Sequence, residues 1–390
     1  MRTPLHHATA TRLRTALRAL ALCAVISPAI CVAQNAVIDG FIPTSDLPSR
    51  QLDLSSATLR TGKVLMTDGQ NVDIYDPATR AFSAGAPLMV SHNGGSPATF
   101  STTLLADGRV LIAGGGQGIA SAELFDPTSG ISSLTASLNQ GRQSHSAVRL
   151  LDGRVLLTGG EVWDDDAGRW QQVASSEIYD PQSAQFVATG SMNHPRLFAF
   201  ANLLQDGTVL ISGGLTANAD GSISYPLTVE VFDPATGIFS DTADMAGVHL
   251  TSTSTATTLR DGRILFTSGA SAEIYDPVLA NFSPAGGLQE IRNYHSAHLL
   301  PDGKVLVVGG WNGTTTASTE LFDPLTGSFA LSGSMLSPRH RHGAASLGGG
   351  RILVAGGSNW DGTGNFGDSY LDSAEIYTSD AVFMDGFDGH

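Results

Sequence analysis

The residues of this chain best suited to recognition chemistry sit in four stretches, each written once. They are EVWDDDAGRWQQ (Glu161 to Gln172), TANADGSISYP (Thr216 to Pro226), WNGTTT (Trp311 to Thr316) and SNWDGTGNFGDSY (Ser358 to Tyr370). All four tryptophans of the chain, Trp163, Trp170, Trp311 and Trp360, lie in these stretches, beside aspartates and asparagines. An aromatic plane packs on the apolar face of a sugar or a polar peptide, while convergent carboxylate and amide groups fix its orientation. Trp163, Asp164, Asp165, Asp166, Trp170, Tyr225, Trp311, Asn359, Trp360 and Asp361 are therefore candidate ligand-binding residues. Asp164 to Asp166, and Asp361 with Asn365 and Asp368, carry oxygens of the kind calcium takes, but neither group matches a defined calcium loop. No metal and no cofactor is expected. The chain also lacks a G-x-S-x-G elbow, an H-E-x-x-H helix and a phosphate loop, so the chemistry on offer is binding rather than catalysis.

These stretches must hang on a scaffold, and the scaffold is written seven times. LLADGRVLIAGG from Leu104 returns as LLDGRVLLTGG from Leu150, LLQDGTVLISGG from Leu203, TLRDGRILFTSG from Thr258, LLPDGKVLVVGG from Leu299 and LGGGRILVAGG from Leu347, with a worn copy, TLRTGKVLMTDG, from Thr58. Each unit reads as an apolar alternating strand, a D-G turn, a second strand ending in Gly-Gly, a loop of variable length, a third strand such as AELFDP (Ala122 to Pro127), and a fourth around an aromatic such as Phe186 or Phe329. The D-G pair predicts a type I′ hairpin, with φ > 0 at both central residues. Four strands per unit make a propeller blade, and a blade that cannot bury both faces alone must stack around an axis. The expected fold is all-β, a seven-bladed propeller with blades near residues 52–83, 97–132, 142–186, 196–239, 251–282, 292–329 and 339–387. A closing strand is expected at residues 36–42, beside the last blade, with Ala381 to Phe387 as its competitor.

Antiparallel strands put the first-to-second and third-to-fourth turns on one face of the disc and the remaining connections on the other. The first set is short and uniform. Length variation gathers in the second set, so the variable face is the expected functional face. A residue present in every blade serves the ring, whereas a site uses a residue once. The acidic residue of strand three (Asp73, Glu123, Glu177, Glu230, Glu273, Glu320 and Glu375) is accordingly read as a structural hydrogen-bond acceptor.

Composition sets the compartment. Arg2, Arg12, Arg14 and Arg18 precede the apolar stretch ALALCAVISPAICVA, which reads as a signal peptide over residues 1–33, leaving 34–390 as one propeller. The protein is expected to be secreted or periplasmic. Both cysteines, Cys23 and Cys31, lie in that leader, so no disulfide or thiolate site is expected in the remainder. With 36 acidic against 21 basic residues, four of the latter in the leader, nucleic acid and anionic membrane make poor partners. A monomer that does not insert into membrane is expected.

The Gly-Gly after an apolar strand, the upstream R-x-x-H (Arg142 to His145, Arg292 to His295, Arg339 to His342) and the late aromatic resemble the kelch repeat over Ala36 to the C-terminus. The chain departs from that pattern in using Phe where kelch repeats commonly carry Trp, and in keeping the Arg-His pair in three blades. The resemblance implies a kelch-like propeller; Arg142, Arg292 and Arg339, with His145 and His342, are read as inter-blade hydrogen-bonding residues on the same ground as the acidic residue of strand three. RNYHSAHLLPDGKVLVVGG (Arg292 to Gly310) further resembles the segment of galactose oxidase and its relatives in which a Tyr-His pair ligates copper. That likeness places Arg292, Tyr294 and His295 among the candidate binding residues. The same family needs a tyrosine thioether-linked to a cysteine, which this chain cannot supply after its leader. The resulting expectation is a secreted kelch-repeat protein binding an extracellular glycan or protein through its variable face. The alternative is a carbohydrate-active or galactose-oxidase-like propeller enzyme without the complete copper-radical site.

Overall fold

The computed structural model describes residues 40–94, 99–218, 222–249, 253–361, 363 and 369–379. These form seven four-stranded antiparallel sheets and two small two-stranded ones. In blade three the strands are Ser146–Arg149, Val155–Thr158, Ser176–Asp180 and Gln185–Ala188, paired in that order. Blade seven alone borrows a strand. Gly40–Pro43 lies antiparallel to Ala374–Thr378, with Gly40 opposite Thr378 and Pro43 opposite Glu375, and so becomes its outermost member. Residues 36–39 and Ala381 to Phe387 lie outside the described residues. No helix among the described residues is long and apolar enough to cross a membrane.

The second strands explain why the blades must stack. Val110, Leu111, Ile112 and Ala113 are all buried, although alternate residues point to opposite sides of the sheet. Both sides are covered because each blade is sandwiched between two others. Seven apolar clusters result, one at each junction; Leu111, Ala113 and Leu124 of blade two, for example, meet Val155, Leu157 and Tyr179 of blade three. Full burial of each such side chain contributes about 1.5–3 kcal/mol.

The D-G turns differ from the sequence expectation. Only the glycine takes positive φ, +97° at Gly108 and +92° at Gly153, while the preceding aspartates do not. Gly108 N–H donates to Leu105 O at 3.1 Å, and Leu105 N–H donates to Arg109 O at 2.8 Å. This is a three-residue loop, a type I turn followed by one left-handed glycine, rather than a type I′ turn. Asp107 instead accepts from the Arg109 amide at 3.0 Å, so its carboxylate, not its backbone, is what the turn selects.

The acidic residue of strand three holds neighbouring segments together. Glu177 accepts from the amides of Asn139 and Gln140, in the connection arriving from blade two, and from Arg142 Nη2 at 3.0 Å. Arg142 also donates to Gly159 O and Ser175 O, tying the Gly-Gly segment to strand three. Arg292 with Glu320 and Arg339 with Glu375 repeat the arrangement, as does Arg196 with Glu230, where no R-x-x-H motif flags it. In blades two and five the cation's place goes to His92 beside Glu123 and His249 beside Glu273. In blade one Gln51 serves Asp73, whose carboxyl burial pushes above its usual range.

Candidate functional site

On the variable face, the first long loop folds into its own hairpin, Glu161–Asp164 against Arg169–Gln172. Trp163 and Trp170 are directly opposed across it, with ring centroids 5.5 Å apart at 73°. Such an edge-to-face pair stiffens a short hairpin and leaves an indole face outward. Trp163 is 48% exposed. Trp170 turns toward blade two, where Gly118 sits at φ +72° and a Cβ on it would fall 2.7 Å from the indole. The absent side chain is what admits the ring. Trp163, Trp170 and Asp165 line a concavity of about 680 Å³ with Gln117, Gln140 and the backbone of Gly118 and Gly141. Two indoles, two amides and a carboxylate thus converge. Asp164 is spent on the hairpin, accepting from the Ala167 amide and the Gln171 side chain, and Asp166 stands exposed outside the pocket lining.

A second constellation surrounds the axis. Two residues before each inner strand stand Asp53, Thr99, Ser144, Phe198, Thr253, Tyr294 and Arg341. Asp53, Ser144, Phe198, Tyr294 and Arg341 share left-handed φ values between 52° and 58°. Backbone bonds link the positions around the ring: Asp53 N–H to Arg341 O, Arg341 N–H to Tyr294 O, Tyr294 N–H to Thr253 O, Phe198 N–H to Ser144 O and Ser144 N–H to Thr99 O. The backbone repeats while the side chain almost never does. Arg341 grips Asp53 through two contacts, Nε to Oδ1 at 2.8 Å and Nη2 to Oδ2 at 2.5 Å, and its guanidinium carbon lies 5.4 Å from the Tyr294 ring centroid. His340 packs on the same tyrosine at 6.0 Å; burial, then Arg341, depress its pKa to about 4. Asp53, His340 and Arg341 escaped the sequence reading. The legible signal was a position of fixed spacing at which side chains refuse to repeat.

The remaining candidates divide. Trp311 is held by backbone bridges to Asn293 and Thr315. Thr315 Oγ1 donates to Trp360 O at 2.5 Å and meets His340 Nδ1 at 3.1 Å, so Trp311 and Trp360 approach the axial cluster through Thr315. Asn359 bonds Ser369 through its backbone, and Asp361 closes its own turn on Thr363, a bond that lowers its pKa. Tyr225 is exposed on the blade-four loop and joins neither group. Asn365 and Asp368 lie outside the described residues. Arg292 and His295 belong to the frame rather than to a ligand surface. Arg292 is fully buried and spends its guanidinium on Gly309 O, Ser318 and Glu320. His295 is buried with Nε2 on Thr267 Oγ1 at 2.7 Å and Nδ1 on Arg292 O at 3.1 Å, and burial, then Arg292, push its pKa to about 3.

Residues 292–336, spanning blade six and its exit, match the kelch motif. The chain is a seven-bladed β-propeller with a kelch motif in its sixth blade. Its propeller is 30% identical over 106 residues to Kelch-like protein 36 of Bos taurus and 29% identical over 107 residues to that of Mus musculus. Each match covers 27% of this chain and 16% of the relative's length. A solved structure titled "Novel fungal alcohol oxidase with catalytic diversity among the AA5 family, in complex with copper" is similar with a TM-score of 0.66 at 18% identity, over 88% of this chain and 76% of that one. At that identity the likeness speaks for the fold alone. The propeller's own residues do not fit a copper centre at Tyr294 and His295. Both nitrogens of His295 are engaged, and no group of three His, Cys, Asp or Glu among the described residues is placed to hold a metal.

Proposed function

We propose that this protein is an exported binding propeller that takes an extracellular glycan, or a protein presenting one, on its variable face. The observation that carries the reading is the Trp163–Trp170 pocket. Its edge-to-face indoles supply an apolar surface, and Asp165, Gln117 and Gln140 supply acceptors and donors at its wall. That pairing of plane and polar rim suits a pyranose, whose one face is largely C–H and whose edge is hydroxyl. The frame beneath is rigid, so the pocket is formed before ligand arrives and little ordering cost attends binding. Export is supported by the arginine-led apolar leader, and a non-catalytic role by the absence of a recognisable nucleophile or acid–base pair in the pocket.

The test is a panel of oligosaccharides titrated calorimetrically against the chain without residues 1–33. Saturable binding without turnover, lost in Trp163→Ala and weakened in Asp165→Asn, is the expected result. Binding indifferent to both substitutions, or release of a hydrolysed or oxidised sugar, overturns it.

A further inference from the structure

The opposite face is not blank. Between blades two and three, three and four, and four and five, the D-G turn of one blade and both turns of the next enclose a groove. The groove between blades four and five is the largest of these, about 800 Å³, and it departs from the repeat in composition. Blades two, four and six write their third-to-fourth turn as Asp-Pro-x-Ser/Thr-Gly, whereas blade five writes Asp276-Pro277-Val278-Leu279-Ala280. Ala280 then carries the left-handed φ, +49°, that glycine carries at 130, 237 and 327. Val278 is 90% exposed, Leu279 is also exposed, and Leu325 of the adjoining blade is 94% exposed. Aliphatics this open, with Val278 and Leu279 lining the groove itself, mark contact surface rather than scaffold.

The charge around them is predominantly negative. Asp206, Asp261 and Asp276 line the groove with one cation, Arg263, which is already held by Asp261 at 2.8 Å. Asp206 and Asp276 receive only amide and hydroxyl donors, from Thr208, Val278 and Leu279, and no cation pairs with either among the described residues. An aliphatic patch flanked by unneutralised carboxylates is complementary to a segment that carries arginine or lysine beside aliphatic side chains. A second copy of this chain would instead bring aspartates against aspartates.

We propose that the turn face at blades four and five is a docking surface for a protein partner, which it engages through a cationic, aliphatic segment. Basic side chains reach Asp206 and Asp276 while an aliphatic side chain covers Val278 and Leu279. The surface is independent of the variable-face pocket, and either can fail without the other.

The experiment uses the full mature chain and a short synthetic peptide alternating arginine with leucine, with an arginine–serine peptide as control. Val278→Thr with Leu279→Thr, which gives blade five the Thr-Ser/Thr type that blade two carries at Thr128-Ser129, should weaken the arginine–leucine peptide by about tenfold or more. Asp206→Asn with Asp276→Asn should weaken both peptides and flatten the salt dependence. Asp126→Asn in blade two, where the turn carries Thr128 and Ser129, should leave both unchanged, as should Trp163→Ala. No binding of the arginine–leucine peptide overturns the proposal, as does equal binding by wild type and the Val278/Leu279 variant. So does a dimer in sedimentation that disappears with that variant, since it makes the occupant a second copy.

Discussion

Arg196 lets the buried polar frame of blade four be tested where no motif announces it. Its guanidinium is fully buried and donates to Gly213 O at 3.2 Å, Thr228 O at 2.8 Å, Thr228 Oγ1 at 3.2 Å and Glu230 Oε1 at 3.2 Å. Glu230 meanwhile accepts from the Asn193 amide at 2.6 Å. Arg196→Met fills much of the volume but leaves a buried carboxylate without its cation and two carbonyls without a donor. Removing one member of a buried pair costs about 3–5 kcal/mol. For a folded unit of roughly 340 residues the unfolding entropy is about 0.7 kcal/mol/K, so a loss of about 4 kcal/mol lowers Tm by about 6 °C if the ring unfolds as one unit. Glu230→Gln added to Arg196→Met should recover part of this, because it removes the isolated charge while its amide oxygen still accepts from Asn193. Calorimetry on the two variants decides the matter. A single variant as stable as wild type, or a double variant less stable than the single, refutes the claim that the pair is desolvated and frame-bearing.

Acid should act through histidine before it acts through carboxylate. Burial holds His145 and His295 near pKa 3 and His298 near 4, below the unfolded value of about 6.5, so the unfolded chain binds protons first and stability falls as pH drops below about 6.5. Each contributes at most about 1.4 kcal/mol per pH unit, and chemical denaturation at pH 7 and pH 5 should show the decline; equal stability at both would exclude neutral buried histidines. Gly118→Ala should strain a left-handed backbone and push Trp170 from its seat, costing about 1–2 kcal/mol and weakening any ligand of the indole pocket, as thermal melts and titration will show. Copper-loaded protein should not oxidise a primary alcohol; hydrogen peroxide formed in step with a sugar alcohol would contradict the engaged geometry of His295.

Much of the fold was legible because repetition averages out local ambiguity. One D-G pair between apolar runs is a hairpin; five, with two variants at Thr61-Gly62 and Gly349-Gly350, are a ring. The acidic residue of strand three was legible for the same reason, whereas its partner was not. Chemistry there requires only a donor able to reach a buried carboxylate, and Arg142, Arg196, His92, His249 and Gln51 all satisfy it. The turn type was misjudged because Asp-Gly suits two loop lengths, and the strand register that chooses between them is set by packing, not by the dipeptide. The axial cluster stayed hidden because Asp53 and Arg341 stand 288 positions apart and meet only when the ring closes. The Trp163–Trp170 pair could be suspected from two indoles in one loop, but their opposition follows from a hairpin whose turn Asp164 fixes.

The borrowed strand of blade seven gives the molecule a weakest link at a known address. Neighbouring strands elsewhere in the ring are joined by short turns or a single loop, so one that frays finds its partner again at once. Gly40–Pro43 can rejoin Ala374–Thr378 only by closing a loop that contains nearly the whole disc, and the entropic penalty of that search grows with the logarithm of its length. The first excited state of the ring is therefore one with this flap lifted, and its amides should exchange ahead of those of the other blades' outermost strands. Opening there frees the side of Phe41 from Tyr377 and lays bare the edge of Ala374–Thr378, a template on which a strand from another molecule can lie. Domain exchange, where it occurs in this protein, has its doorway at blade seven.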